Sequence, residues 1–218
     1  GPRRWSTTCR PDPVVVDHDR AVPVAEADVR FRTSRLVVVR RWCEADLEAY
    51  AELNADPEVM AHLGGPMTRQ QSDSLARYGE SWVDRAGLGL LPVVRQQDGR
   101  MLGMCGLHHQ RWYPDEVEVG WRFARHAWGH GYATESAACW LDEAFGPLGI
   151  DHVISITSPD NGRSQAVMRR LGLQPREEGT RPRLDSSGVP VVVFTISGAQ
   201  WQDRRRPDRD RPGSAATR

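Results

Sequence analysis

Apolar and polar positions alternate between two periods along the middle of the chain. Residues 35–42, RLVVVRRW, are a β-branched run that predicts a strand. In the following EADLEAYAEL, Leu47, Tyr50, Ala51 and Asn54 recur at helical spacing. Asp56-Pro57 ends that helix, and a second helical pattern covers 68–86 with Leu75, Tyr78 and Trp82 on one side. LLPVVRQ and MLGMCGL predict a hairpin through Gln97-Asp98-Gly99-Arg100, since Asp-Gly suits the tight turn between two strands. In EVEVGWRFA, Val117, Val119, Trp121 and Phe123 alternate with Glu116, Glu118, Gly120 and Arg122, as a half-buried strand requires. Ala133, Ala137, Trp140, Leu141 and Ala144 then mark an amphipathic helix. HVISIT (152–157) predicts a strand, NGRSQAVMRRLG (161–172) a helix closed by Gly172, and VPVVVFTI (189–196) a last strand. The expected class is α/β, mostly antiparallel in its first half and strand-helix-strand-helix in its second.

The two ends read differently. Residues 1–32 mix proline, arginine and short valine runs without sustained period, which predicts an arm, and 202–218 carry alternating charge and proline, which predicts a charged tail. One domain is expected between them, at 33–201, and 218 residues suffice for a single full core. The formal net charge is zero, so nothing global argues for nucleic acid or an anionic membrane as partner. All 29 basic residues are arginine. Cys9, Cys43, Cys105 and Cys139 form no C-x-x-C pair, which argues against a zinc site or a redox dithiol and for reduced thiols in the cytoplasm. No run approaches the ~20 apolar residues of a membrane span.

RHAWGHGYATES, 125–136, is the stretch that carries chemistry. His126 and His130 have the i, i+4 spacing of metal ligands, but Gly129 and Gly131 disfavour a continuous helix there, and no third ligand stands at a useful spacing; no metal is expected. A strand, a glycine-containing turn and a helix start instead aim unpaired backbone amides at an anion, and a diphosphate is the natural occupant. The G-x-G-x-x-G of a dinucleotide fold is incomplete, with Thr134 at the third place.

VEVGWRFARHAWGHGYATESA resembles the cofactor-binding segment of the GNAT superfamily of acyl-CoA N-acyltransferases, in the branch similar to ribosomal-protein N-terminal acetyltransferases. TSRLVVVRRWCEADLEAYAELNADPEV and DNGRSQAVMRRLGLQPREEG resemble that family's opening and later motifs, so the likeness covers about 33–201. The resemblance implies a mixed, mostly antiparallel central sheet of six to seven strands with flanking helices. It also implies a V-shaped splay between the strands at about 116–124 and 152–157. The implied reaction is attack of an amine on acetyl-CoA, giving an amide and coenzyme A.

By that resemblance Trp128, Gly129, His130, Gly131, Tyr132 and Ala133 cradle the diphosphate, and the backbone edge from Trp121 to Phe123 pairs with the pantetheine arm. His126 stands where the wider family often has Gln or Arg. Asn161 would bond the pantetheine arm, and Ser164 would protonate the departing thiolate, because Met168 occupies the place of the tyrosine many members use. Both are also ordinary helix-start residues.

Glu118 is the candidate base, with Glu116 on the same strand face; His108 and His109 are rivals because imidazole titrates near neutrality. Glu118 is equally readable as a structural carboxylate bonding nearby amides. Holding a lysine-like amine neutral at pH 7 costs about 4.6 kcal/mol, against about 1 to 1.4 for an α-amino group, so the latter is the easier acceptor. Trp112 and Tyr113 are candidates for the acceptor cleft. The expected partner is an amine acceptor, a small molecule or a peptide N-terminus, and the protein is expected to be a monomer or homodimer. The alternative is a catalytically idle domain that binds acyl-CoA as a sensor or partner-binding module.

Overall fold

The computed structural model describes residues 29–33, 37–110, 112–182 and 188–206. Among the described residues eight strands form one sheet in the order β1-β2-β3-β4-β5-β6-β8-β7. They are β1 (Val29–Arg32), β2 (Val37–Arg40), β3 (Gly89–Arg95), β4 (Met101–Gln110), β5 (Tyr113–Phe123), β6 (His152–Thr157), β7 (Gln174–Pro182) and β8 (Gly188–Ser197). The helices are α1 (Glu44–Ala55), α2 (Pro57–Met60), α3 (Arg69–Ala86), α4 (Tyr132–Phe145), α5 (Gly162–Leu171) and α6 (Gly198–Arg205). The α/β class and the mixed, mostly antiparallel sheet hold. The count is eight strands rather than six to seven, because β1 and β7 add to the strands visible as apolar runs.

Strand pairing is antiparallel except between β5 and β6, which run parallel and share a single registered pair, Glu118 with Ile154. β4 and β5 stay in register from Gly103–Phe123 to His109–Val117, while β6 is laddered along its length to β8. The sheet therefore parts between β5 and β6 beyond Glu118, where the V-shaped splay is expected.

Local chemistry explains the helix boundaries. α3 starts at Thr68, whose hydroxyl accepts the Gln71 amide at 3.3 Å while the Gln71 side chain accepts the Thr68 amide at 2.8 Å. Its buried stripe is Ser72, Ala76, Gly79 and Val83; of the expected Leu75, Tyr78 and Trp82, Leu75 and Trp82 pack half-buried against the core and Tyr78 is 54% exposed. Small residues let α3 lie close on β3: a Cβ on Gly79 would come within 3.0 Å of the Leu90 carbonyl. α4 buries Ser136, Ala137, Trp140, Leu141 and Ala144, close to the expected stripe, and Trp140 meets Phe31 of β1 edge-on at 5.0 Å.

β1 lies inside the segment read as an arm, and α6 crosses the boundary set at 201/202. α6 is anchored by the Trp201 indole, which donates to Asp142 of α4 at 2.8 Å. The rest of the proposed arm, 1–28, and of the proposed tail, 207–218, lies outside the described residues, as does Cys9. Among the described residues no helix is long and apolar enough to cross a membrane.

Candidate active site

The turn after β5 builds the cradle from backbone alone. Residues Arg125–Ala127 make one 3-10 turn, and the Trp128 indole donates to the Phe123 carbonyl at 2.8 Å, folding the chain back on the strand end. Gly129 and Gly131 then take φ of 80° and 83°, a region that costs a side-chain-bearing residue. A Cβ on Gly129 would meet nothing within 4 Å, so open space adjoins this backbone. Gly131 is the N-cap of α4 and offers no side-chain cap, and the Glu135 amide bonds the Gly131 carbonyl at 3.0 Å. The amides of the first turn precede that bond and point out of the helix start. Open space, positive-φ glycines and an uncapped helix start fit a diphosphate. His126 lies in the 3-10 turn and His130 in the cradle, so the pair does not share a helical face. The His130 ring instead stacks on Tyr132 at 5.5 Å.

At the apex of the splay stands Glu118, 6% exposed. Its Oε1 accepts the Ile156 amide of β6 at 3.1 Å, and its Oε2 accepts the Gln110 side-chain amide at 2.6 Å, with His108 Nε2 at 3.3 Å. The carboxylate thus clamps β5 to β6 beside their one registered pair. It also holds a proton-carrying ring. His108 Nδ1 faces the His109 carbonyl at 3.2 Å and Nε2 faces Glu118, so oxygen acceptors meet both ring nitrogens. Burial alone would lower the His108 pKa, but the Glu118 carboxylate outweighs it and raises the value. His109 points away, its ring 5.6 Å from Trp82.

Glu116 is engaged elsewhere. It accepts from His152 Nε2 at 2.6 Å and from Arg176 Nη1 at 2.5 Å. Burial acts to raise its pKa, yet Arg176 and His152 prevail and lower it, which suits a staple across β5, β6 and β7 and not a base. Tyr113 packs, partly buried, against the small cluster of Ile154, Val191 and Val193.

Asn161 caps α5, its Oδ1 accepting the Ser164 amide at 3.1 Å. Among the described residues nothing hydrogen-bonds the half-buried Ser164 hydroxyl. Met168 is fully buried, so its position faces the core. Arg163 lies over the Trp128 ring at 4.2 Å, bringing the start of α5 beside the cradle. Trp121 and Phe123 pack into the core by their side chains. Cys105 is buried, its thiol pushed up to about 12, and is no rival nucleophile.

One group was not assigned a role from the sequence. α2 and the turn after it span the mouth of the splay: Glu58 reaches Arg125, which follows β5, at 3.1 Å and Arg163, which follows β6, at 3.7 Å. Asp56 holds Arg125 at 2.7 Å, and His62 Nδ1 is 3.0 Å from the Ser158 hydroxyl. The signal was present in the ADPEV stretch, but ion pairs between distant segments have no period to read.

The acetyltransferase (GNAT) domain family matches residues 36–174. The uncharacterized N-acetyltransferase p20 of Bacillus licheniformis is 23% identical over 168 residues, which is 76% of this chain and 93% of that protein. The solved acetyltransferase of Agrobacterium tumefaciens C58 superposes with a TM-score of 0.66 at 29% identity, over 76% of this chain and 92% of that one. RimL, a ribosomal L7/L12 alpha-N-protein acetyltransferase solved with coenzyme A, gives a TM-score of 0.63 at 15% identity, over 75% of this chain and 95% of its own, a likeness of fold.

Proposed function

The chain belongs to the GNAT acetyltransferase family, and we propose that it moves the acetyl group of acetyl-CoA to a primary amine by direct attack, with a peptide or protein N-terminus as the first choice of acceptor and a small-molecule amine as the second. One observation carries this reading: β5 bears the buried Glu118 at the apex of the splay and runs directly into the glycine cradle. A single rigid strand thus spans the distance from diphosphate to reacting atoms.

The backbone of Trp128 to Ala133 holds the diphosphate, and the β5 edge from Trp121 to Phe123 pairs with the pantetheine arm like an added strand. The Asn161 side chain, whose Oδ1 serves the cap, turns its amide toward the same arm. Acetyl-CoA supplies an activated carbonyl whose C–S bond breaks as the amine forms its N–C bond. Glu118 and His108 act together on the amine: the neutral imidazole takes a proton and the carboxylate stabilises the cation that results. Ser164 donates its hydroxyl hydrogen bond to the departing sulfur. Of the two protons lost by the incoming ammonium, one ends on the thiol and one leaves through His108.

The preference for an α-amine rests on the smaller cost of holding it neutral, and RimL, of similar fold, is an alpha-N-protein acetyltransferase. Calorimetry with acetyl-CoA, paired with thiol release over a panel of N-terminal peptides, polyamines and small amines, tests the reading. Binding with turnover on an α-amine is expected, and Ser164→Ala should slow thiol release with little change in cofactor affinity. Tight binding with no turnover on any acceptor would favour an idle sensor module instead.

A further inference from the structure

The end of the sheet that carries the cradle also gathers basic side chains from the end of β3, the β3–β4 turn and the 3-10 turn after β5. Across the β3–β4 turn, the Arg95 amide donates to the Arg100 carbonyl and the Gly99 amide to the Arg95 carbonyl, each at 2.9 Å, so Arg95 and Arg100 stand opposite each other. On the other side Gly103 pairs with Phe123 and the Ala124 amide donates to the Leu102 carbonyl at 2.9 Å. Arg125–Ala127 leave β5 at that same end as a 3-10 turn, where Arg100 and Arg95 are close enough to act on His126. Two guanidinium groups and an imidazole therefore meet at this end of the sheet.

The group adjoins the cradle. Arg95 donates through Nε to Asp98 at 2.9 Å, and the Tyr132 side chain, on the first residue of α4, lies near enough to act on the Arg95 guanidinium. The stacked His130 ring stands next to that tyrosine. Asp98, the carboxylate of the group, is already taken by Arg95. Like charges at opposed sheet positions, as at Arg95 and Arg100, repel, and at His126 burial, then Arg100 and Arg95, push the pKa down against the opposing effect of Asp98. Such crowding is relieved by an anion of more than one charge. The backbone amides of the cradle and the helix start already match the diphosphate, so the guanidinium groups beside them suit a further phosphate, for which arginine offers paired donors.

We propose that Arg100, with Arg95 and His126, forms a phosphate-monoester subsite next to the cradle that takes the 3′-phosphate on the ribose of coenzyme A. This inference rests on the cofactor reading given above. It makes the β3–β4 turn, which lies outside the glycine motif, the part of this chain that distinguishes the cofactor from its dephosphorylated form.

Titration calorimetry of the full chain with coenzyme A and with 3′-dephospho-coenzyme A tests it, on wild type, Arg100→Gln and Arg85→Gln. Wild type and Arg85→Gln, changed at the far end of α3, should bind coenzyme A about tenfold or more tightly than the dephospho form. Arg100→Gln should lose that preference while its affinity for dephospho-coenzyme A stays within about twofold, with an unchanged thermal melt as the check on folding. Equal binding of the two ligands by wild type, or equal weakening of both by Arg100→Gln, overturns the subsite and leaves the cofactor reading intact. A wild-type chain that binds neither ligand overturns both.

Discussion

Glu118 has donors on both carboxylate oxygens, from the Ile156 amide, the Gln110 side chain and His108. Of these donors His108 is the one able to exchange protons with an amine. This joins two readings the sequence left apart, a base and a structural carboxylate, because both depend on what faces the residue from β4 and β6. The pKa of His108 lies above its ordinary 6.5 through Glu118, against the opposing effect of burial. Its ion pair therefore adds stability in full below the unfolded value, and that contribution fades as pH rises through the folded one. Activity runs the other way, since only the neutral ring accepts a proton. For wild type we expect the rate of thiol release to climb with pH through a limb above 6.5. Glu118→Gln leaves burial as the dominant influence, so the limb should move to lower pH while the plateau rate falls by about 10²-fold. Rate profiles between pH 5.5 and 9 alongside an NMR titration of His108 check this; an unmoved limb in the variant would show that the two side chains do not act as one.

Among elements, the cradle and the hairpin were legible because their determinants are local. Gly99, Gly129 and Gly131 all adopt the positive φ that their neighbours in sequence imply. α3 was half legible: its length holds, but its most buried side is made of Ser72, Ala76 and Gly79, small residues that an apolar pattern passes over. β7, QPREEGTRP, is a polar strand at the edge of the sheet, and edge strands carry charge for reasons that hide their period. α6 reads as tail because its one apolar anchor, Trp201, is set among charges and finds Asp142 far along the chain. The cradle's chemistry can be separated from its folding at Gly129. Alanine there costs about 1 kcal/mol for the left-handed backbone, and its methyl would meet nothing within 4 Å. Gly129→Ala should therefore lower the melting temperature only slightly while weakening coenzyme A by about tenfold, as the methyl stands where the diphosphate approaches. Equal affinity by calorimetry for variant and wild type would place the diphosphate elsewhere.

Across the whole molecule, the V between β5 and β6 is fastened differently at its two ends. At the closed end Glu116, its side chain 13% exposed, holds His152 and Arg176. At the mouth, Glu58 pairs with Arg125 and Arg163, but these side chains are 52%, 56% and 71% exposed. Exposed pairs contribute about 0 to 1 kcal/mol, whereas a hydrogen bond to a largely shielded carboxylate contributes about 1.5 to 3. The Glu116 pKa lies below its ordinary 4.5 because Arg176 and His152 outweigh burial. Its share of stability is therefore present above the unfolded value and is lost as pH falls through the folded one. Glu116→Gln should depress the melting temperature at pH 7 and flatten the acid limb of stability, while Glu58→Gln should change the melt little. Hydrogen exchange should separate them further: in Glu58→Gln the amides of 56–65 exchange faster while those of His152 to Ile154 keep their rates, and in Glu116→Gln the pattern reverses. Exchange rising at both ends in either variant would mean that β5 and β6 open as one unit, and that the Glu118 clamp at the apex does not divide them.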